Sequence, residues 1–163
     1  MHVSGPTPTR VSDLLTPAHV NLELAGRHRD EVLAELVAAI PELAGRPTDQ
    51  QTLVRALQER EQLHSTGVGD GVALPHARNA LVGLVTQPVV VFGRHDRGVA
   101  FGAIDGQPTQ LFFLIIAPTV TQHLAVLARI NRLVHDFKLR QALLRADRPE
   151  QVVEAVRDLE VRL

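Results

Sequence analysis

The sequence predicts a single α/β domain with a largely buried sheet. The chain has 163 residues, the length of one ordinary domain. Two uninterrupted apolar runs, residues 88–92 and 111–117, are typical of buried strands. They alternate with segments whose apolar residues recur at helical spacing, which indicates one α/β domain. A hydrophobic fraction of 45% and a charged fraction of 21% exclude disorder as the main state.

The first elements of this domain follow a proline-containing tail. Residues 1–10 have little to bury, so we expect a flexible tail there and the folded domain over 11–163. One helical turn over 11–15 comes next. A short strand over 20–24 is predicted after it, because apolar and polar residues alternate there.

Two helices are predicted in the next segment. The first begins at Asp30 and ends before Gly45 and Pro47, because its apolar residues recur at helical spacing as far as Ile40. Thr48 is a good N-cap for the second helix. The residues expected on the inward face of that second helix are Leu53, Leu57 and Leu63.

Three helices are predicted after the second apolar run. Thr119 or Thr121 is expected to cap the first of them, and the other two cover residues 140–145 and 149–159. The core face of the capped helix is expected to contain Leu124, Leu127, Ile130 and Val134.

Composition excludes several classes of function. The net charge is −1 and the isoelectric point about 6.7, so no bulk field attracts nucleic acid or anionic lipid. The absence of cysteine rules out a disulfide scaffold, an iron–sulfur cluster, a thiolate zinc site and a cysteine nucleophile. No apolar run approaches the roughly 20 residues that span a bilayer, and residues 1–20 lack the apolar core of a signal peptide. We therefore expect a cytoplasmic protein that neither enters membranes nor binds nucleic acid.

The most unusual segment is the stretch 60–76, REQLHSTGVGDGVALPH, in which three glycines occupy alternate positions. His76 follows a short extended run and a proline, which fixes the direction of its side chain. Backbone N–H groups in such a loop can form a concave anion site, and Arg60 would add a positive charge. The pattern is neither the dinucleotide fingerprint nor a P-loop. On local pattern alone, a tight glycine turn with His76 as an ordinary loop residue is favoured over phosphate handling.

Imidazole is the main chemistry available near neutral pH, because the chain has eight histidines. His123 lies in the first turn of the predicted helix after Pro118 and is expected to lean toward the core. A helix N-terminus favours a neutral, hydrogen-bonding imidazole there. The simpler alternative is a helix-start histidine bonded to nearby backbone. The other six, including His64, are expected to be solvated or capping residues.

A nucleophilic histidine explains the glycine segment better than a general base does. Neutral imidazole is a competent nucleophile near pH 7 and can form a covalent phosphoryl intermediate. Such a transfer needs in-line positioning, together with positive or N–H-donating groups around the migrating charge.

The residues around His76 then become recognisable as a motif. Glu61, followed by Val68-Gly69 and by the run VALPHA over 72–77, resembles the phosphorylation-site signature of enzyme IIA domains. These domains are of the mannitol/fructose class of the bacterial phosphoenolpyruvate-dependent phosphotransferase system, which includes nitrogen-regulatory enzyme IIA proteins. The resemblance covers about residues 11–160. Further landmarks occur in the expected order, namely Arg60-Glu61, the STG of 65–67, the DGQP of 105–108, the LFFLIIAP of 111–118 and His123-Leu124.

The resemblance implies a role for each matching residue. His76 corresponds to the histidine that the histidine-containing phosphocarrier protein phosphorylates on Nε2. His123 corresponds to a second histidine that supports the phosphoryl group by hydrogen bonding, and Arg60 to an arginine that binds phosphate or the partner. The implied phosphate-loop positions are Ser65, Thr66, Gly67 and Gly69. The implied fold is a single α/β domain with a five-stranded mixed sheet flanked by helices, and no metal or organic cofactor is required.

The resemblance is compatible with two roles. The protein either passes phosphate to a separate IIB protein in fructose or mannitol uptake, or regulates other proteins through its phosphorylation state. The sequence shows one domain without a fused phosphocarrier, IIB or membrane part. We therefore expect a stand-alone IIA protein of the nitrogen-regulatory type.

Two interpretations from other classes are the alternatives. One is a non-catalytic interaction module with a decayed site. The other is a hydrolase with a metal held by His64, His76 and His123, although this spacing matches no known ligand pair. One departure from the family pattern also bears on the site. Asp70 stands where asparagine is common, and its charge would repel a phosphate unless it points away.

Overall fold

The computed structural model describes residues 10–78 and 83–163. Its centre is a five-stranded mixed sheet in the order β1-β4-β5-β3-β2. The strands are β1 Val20–Asn21, β2 Gly67–Gly69, β3 Val72–Ala73, β4 Val89–Val99 and β5 Thr109–Ile116. The predicted single α/β domain with a five-stranded mixed sheet is confirmed. The predicted tail over 1–10 lies outside the described residues except for Arg10.

The two long strands form the antiparallel middle of the sheet. β4 pairs with β5 from Val89 opposite Ile116 to Val99 opposite Thr109. β3 runs parallel to β5 on one side, and β1 runs parallel to β4 on the other. β5 is apolar and almost wholly buried, and β4 is apolar and buried over residues 89–93, because helices cover both faces of the sheet there. Residues 94–98 of β4 are mostly polar and half-buried or exposed.

Six α-helices among the described residues cover these faces in two layers. Their bounds are α1 Val11–Leu14, α2 Arg29–Ala38, α3 Pro47–Leu63, α4 Val120–Val134, α5 Phe137–Arg145 and α6 Pro149–Glu160. α1, α4, α5 and α6 pack on the sheet face that carries Phe113 and Ile115, and α2 and α3 pack on the face that carries Phe112 and Leu114. This alternation along β5 is the period of two expected for a strand buried on both sides.

The helix boundaries differ from prediction where prolines intervene. Pro47 occupies the first position of α3, so Arg46 rather than Thr48 precedes the helix. α2 ends at Ala38, two residues before Ile40, and a 3-10 turn begins at Pro41. The predicted strand over 20–24 is confined to Val20–Asn21.

Two leucines that were expected in the core are exposed. Leu63 is 54% exposed and Leu124 is 57% exposed. Each lies six residues from a buried residue of its own helix, Leu57 in α3 and Ile130 in α4. Six residues turn an α-helix by about 120° from the starting face, so both leucines leave the buried face. The predictions for these two side chains were wrong.

Gly93 shows how closely α2 approaches the sheet. A Cβ atom at this position in β4 would lie 2.5 Å from Leu36 Cδ2 and 2.7 Å from Leu24 Cδ1. We expect Gly93→Ala to lower the free energy of unfolding by about 1–3 kcal/mol, because the neighbouring side chains must move. Urea denaturation measures this. Leu36→Val should lower the free energy of unfolding by less in the Gly93→Ala variant than in the wild type, because it removes a methyl group that clashes. Equal losses in the two backgrounds would contradict the clash.

Candidate active site around His76

His76 lies at the end of the extended segment that continues β3. It forms an isolated parallel bridge with Ile115 of β5, and the Ile115 N–H donates to the Pro75 carbonyl at 3.0 Å. β5 ends at Ile116, and α4 begins four residues later at Val120. The first turn of α4 therefore lies beside the strand end that carries His76.

The His76 ring is held in one orientation by its own backbone. Its Nδ1 lies 2.7 Å from the Leu74 carbonyl oxygen. Because a carbonyl oxygen can only accept, Nδ1 must carry the proton in this contact. In the neutral ring Nε2 is then unprotonated and has a free lone pair, which is the state that a nucleophile needs.

The ring of His123 lies beside that of His76. The two ring centroids are 5.1 Å apart and the planes are tilted by 55°. The Thr119 side chain caps α4 by accepting from the Gln122 N–H at 3.2 Å, which fixes the first turn that carries His123. The sequence prediction that His123 faces inward from the start of this helix is confirmed by its half-buried position.

Both rings are held neutral by their surroundings. Burial lowers the pKa of His76, against the bond to Leu74 that raises it, and the charge of Arg60 and any positive charge on His123 lower it further. Burial also lowers the pKa of His123. Each pKa therefore falls below the ordinary value of 6.5, which favours the neutral form of both imidazoles at pH 7.

Arg60 approaches this pair from the last turn of α3. Its guanidinium donates to the carbonyl of His64, which closes the end of the helix. It also lines a cleft of about 480 Å³ together with Leu63, Ala77 and Arg78. Since Ala77 and Arg78 directly follow His76, this cleft opens beside the histidine pair. The structure thus pairs His76 with His123 and places Arg60 on a cleft lined by the two residues that follow His76.

The predicted phosphate-loop residues have other contacts. The Ser65 hydroxyl donates to the Phe101 carbonyl at 2.6 Å and accepts from the Gly67 N–H at 2.9 Å. The Thr66 hydroxyl donates to Glu61. Gly69 pairs with Val72 at the distal end of the β2–β3 hairpin, so the structure does not bring it to His76.

Asp70 also lies away from the candidate site. It occupies the hairpin turn with a φ of 56°, and its N–H donates to Asp105. The next residue, Gly71, accepts from the N–H of Leu111, whereas His76 bridges Ile115, four residues further along β5. Four strand residues span about 13 Å, so Asp70 points to the opposite end of the sheet from His76.

A metal held by His64, His76 and His123 has no ligand set in the part of the chain that the structure describes. There, no three His, Asp or Glu side chains are grouped to hold a metal ion. His64 is exposed at the end of α3, while His76 and His123 face each other.

Two contacts lay beyond local sequence patterns. His19, one of the six histidines expected to be solvated or capping residues, caps a 3-10 turn through its Nδ1 contact with Thr16. It is also buried, and its Nε2 donates to Glu42 at 2.8 Å. Glu61, which belongs to the motif without an assigned role, is 5% exposed and accepts both the hydroxyl and the N–H of Thr66. In neither case does the spacing of the two partners follow a helical or strand period that would have indicated the contact.

The surface near the histidine pair combines polar and apolar groups. Val120 and Leu124 in the first turns of α4 are each more than half exposed, as is Leu63 beside Arg60. Exposed apolar side chains grouped around polar ones are typical of surfaces that bind another protein. Within the described ranges no helix has the length and apolar character to cross a membrane.

Comparison with known proteins gives one family match over most of the chain. Residues 13–158 match the model described as "Phosphoenolpyruvate-dependent sugar phosphotransferase system, EIIA 2". A "Nitrogen regulatory protein" of Bradyrhizobium diazoefficiens is 35% identical over 148 residues, covering 90% of this chain and 93% of that protein. A "PTS system fructose-specific EIIABC component" of Bacillus subtilis is 32% identical over 149 residues, and this chain spans only 23% of its length.

Solved structures agree on the fold. The crystal structure of nitrogen regulatory protein IIA-Ntr from Neisseria meningitidis is 28% identical, with a TM-score of 0.77 over 90% of this chain and 98% of that one. The enzyme IIA of mannitol from Escherichia coli, solved in complex with phosphorylated IIB, has a TM-score of 0.73 at 21% identity, over 88% of this chain and 97% of that one.

Proposed function

The chain belongs to the EIIA 2 family of the phosphoenolpyruvate-dependent sugar phosphotransferase system, and from that premise we propose that it carries a phosphoryl group on His76. The donor in this proposal is the histidine-containing phosphocarrier protein. The observation that carries the proposal is the Nδ1 contact with Leu74, because it leaves Nε2 of His76 free to attack. The proximity of His123 and Arg60 supports it further.

The transfer step needs only groups present at this site and on the donor. The Nε2 lone pair attacks the phosphorus of the donor phosphohistidine as the N–P bond of the donor breaks. That bonding pair returns to the donor imidazole, and an N–P bond to His76 forms. Nδ1 keeps its proton, and the Leu74 carbonyl stabilises the positive charge that develops on the ring.

His123 and Arg60 stabilise the transferred group in this proposal. A neutral His123 can donate a ring N–H to a phosphoryl oxygen, and Arg60 adds a positive charge beside the same group. The exposed Val120, Leu124 and Leu63 form the contact surface for the protein partner. The reaction requires no cofactor from the chain.

The test is reconstitution of the phosphotransfer chain. The protein is incubated with phosphoenolpyruvate, enzyme I and the phosphocarrier protein, and the product is examined for an acid-labile phosphate. We expect one such group per chain, formed only when both donor proteins are present. Absence of label would support the non-catalytic interaction module.

We further propose a regulatory role of the nitrogen-regulatory type. This chain is 35% identical to the nitrogen regulatory protein of Bradyrhizobium diazoefficiens over 93% of that protein. The second candidate is a sugar-uptake IIA protein, favoured by the 32% identity to the fructose-specific component of Bacillus subtilis. Mixing the phosphorylated protein with a fructose-type IIB domain separates the two, since only an uptake IIA should discharge rapidly to it.

The pH dependence follows from the lowered pKa of His76. The nucleophile is the neutral ring, so its population falls as the pH falls through the shifted pKa, and near pH 6.5 it is larger than that of an imidazole with the ordinary pKa. We expect the titration midpoint of the His76 ring protons, followed by NMR, to lie below 6.5. Between pH 8 and 6.5 the phosphorylation rate should fall by less than the neutral fraction of an imidazole with the ordinary pKa. A midpoint above 6.5 would contradict the burial of this ring.

A further inference from the structure

We propose that Glu61 is a positioning residue that orients the His76 ring through a chain of hydrogen bonds across Thr66 and Leu74. The inference rests on the proposed function of His76 as the phosphoryl acceptor. We call these four residues the Glu61 chain. It joins the last turn of α3 to the nucleophile by way of the β2–β3 hairpin.

The first link joins the helix to the hairpin. The Thr66 N–H donates to Glu61 at 3.0 Å, and the Thr66 hydroxyl donates to the other carboxylate oxygen. Glu61 is 5% exposed and Thr66 is 4% exposed. Water therefore has little access to replace either bond, and both carboxylate oxygens are committed to one residue.

The next two links reach the imidazole. The Leu74 N–H donates to the Thr66 carbonyl at 3.0 Å. The Leu74 carbonyl then accepts from Nδ1 of His76 at 2.7 Å. The direction of that carbonyl decides which ring nitrogen carries the proton, and Thr66 fixes the strand that carries it.

Burying the Glu61 carboxylate costs free energy, so a specific role is needed to explain it. Burial raises its pKa, against the hydrogen bonds from Thr66 and the more distant charges of Arg60 and Arg29, which lower it. It forms no ion pair with any residue in the ranges 10–78 and 83–163. A buried carboxylate without an ion pair is costly, and an apolar side chain on this face of α3 would cost less. The carboxylate is suited to this position because it accepts two donors from one residue.

The alternative is a purely structural bond between α3 and the hairpin. Such a bond would affect the stability of the protein without affecting the protonation of His76. The two roles are separated by observing the ring nitrogens directly. In ¹⁵N-histidine-labelled protein at pH 8, NMR distinguishes a protonated from an unprotonated ring nitrogen.

The experiment compares wild type with Glu61→Gln and Thr66→Val. Glutamine puts an NH2 donor in place of one of the two carboxylate oxygens that accept from Thr66, and valine removes the hydroxyl at nearly constant volume. We expect wild-type His76 to show a single tautomer with the proton on Nδ1, and both variants to show mixed tautomers. Single-turnover phosphorylation should slow by about tenfold. This is the lower end of the range of losses seen when a group that orients a functional side chain is removed. Glu154→Gln, an exposed carboxylate on α6, is the matched control and should change neither readout.

Each result of this experiment bears on the inference. It is overturned if both folded variants keep the wild-type tautomer, or if the tautomer shifts while the single-turnover rate stays at the wild-type value. Urea denaturation shows whether each variant is folded under the assay conditions. If wild-type protein accepts no phosphate, the proposed function fails, and the tautomer comparison still decides whether the Glu61 chain orients His76.

Discussion

His76→Ala is expected to take up no phosphoryl group from the phosphocarrier protein. The variant lacks the only ring that has Nδ1 bound to the Leu74 carbonyl and Nε2 free beside a second histidine, within the residues that the structure describes. Without that lone pair no covalent intermediate forms, so label should fall to the background of the assay. The half-buried position of His76 means that the fold should tolerate the change.

The matched control for this variant is His135→Ala. His135 is exposed at the other end of α4, about 18 Å along the helix from His123. The His135→Ala substitution removes an imidazole outside the candidate site, so the labelling of this variant should equal that of the wild type. Undiminished labelling of His76→Ala would mean that another residue accepts the phosphoryl group.

His123→Ala is expected to slow the transfer by about 10²–10³-fold, the usual loss for one preorganised donor that stabilises transition-state charge. Its ring centroid is 5.1 Å from that of His76, so it can reach an oxygen of a group on Nε2. Single-turnover kinetics with phosphorylated phosphocarrier protein measures the effect. The final amount of phosphate should change far less than the rate.

His123→Asn provides the discriminating comparison. Asparagine keeps an N–H donor while removing the ring, so it should recover part of the lost rate. If alanine at this position changed the rate less than twofold, His123 would have no role in stabilising the phosphoryl group. A loss that asparagine did not relieve would indicate that ring packing against His76 is what matters.

Much of the fold was predictable because its signals are local. The apolar run around Phe112 and Leu114 fixes a strand buried on both faces, and the helices follow from apolar spacing and from prolines at first helical positions. The errors concerned one helix start and two leucines assigned to the core. Thr48 suggested a cap, but Pro47 directly before it begins the helix. Leu63 and Leu124 were assigned to the core by residue type although their angular position lies off the buried face.

The site was only partly predictable, because its contacts join distant segments. His76 and Arg60 lie in one continuous motif, whereas the approach of His123 depends on the antiparallel and parallel pairing of β5. The commitment of the Thr66 hydroxyl to Glu61 follows from the turn between α3 and β2, which no residue pattern specifies. Local sequence therefore marks candidate groups, and tertiary geometry decides which of them face the nucleophile.

The central claim is that Nε2 of His76 accepts the phosphoryl group while Nδ1 stays protonated. Nitrogen and phosphorus NMR of the phosphorylated, ¹⁵N-histidine-labelled protein tests it directly, because the coupling identifies the nitrogen bonded to phosphorus. We predict one phosphohistidine, at His76, with phosphorus on Nε2 and a proton on Nδ1. Phosphorus on Nδ1 of His76, or on any other residue, would contradict the account.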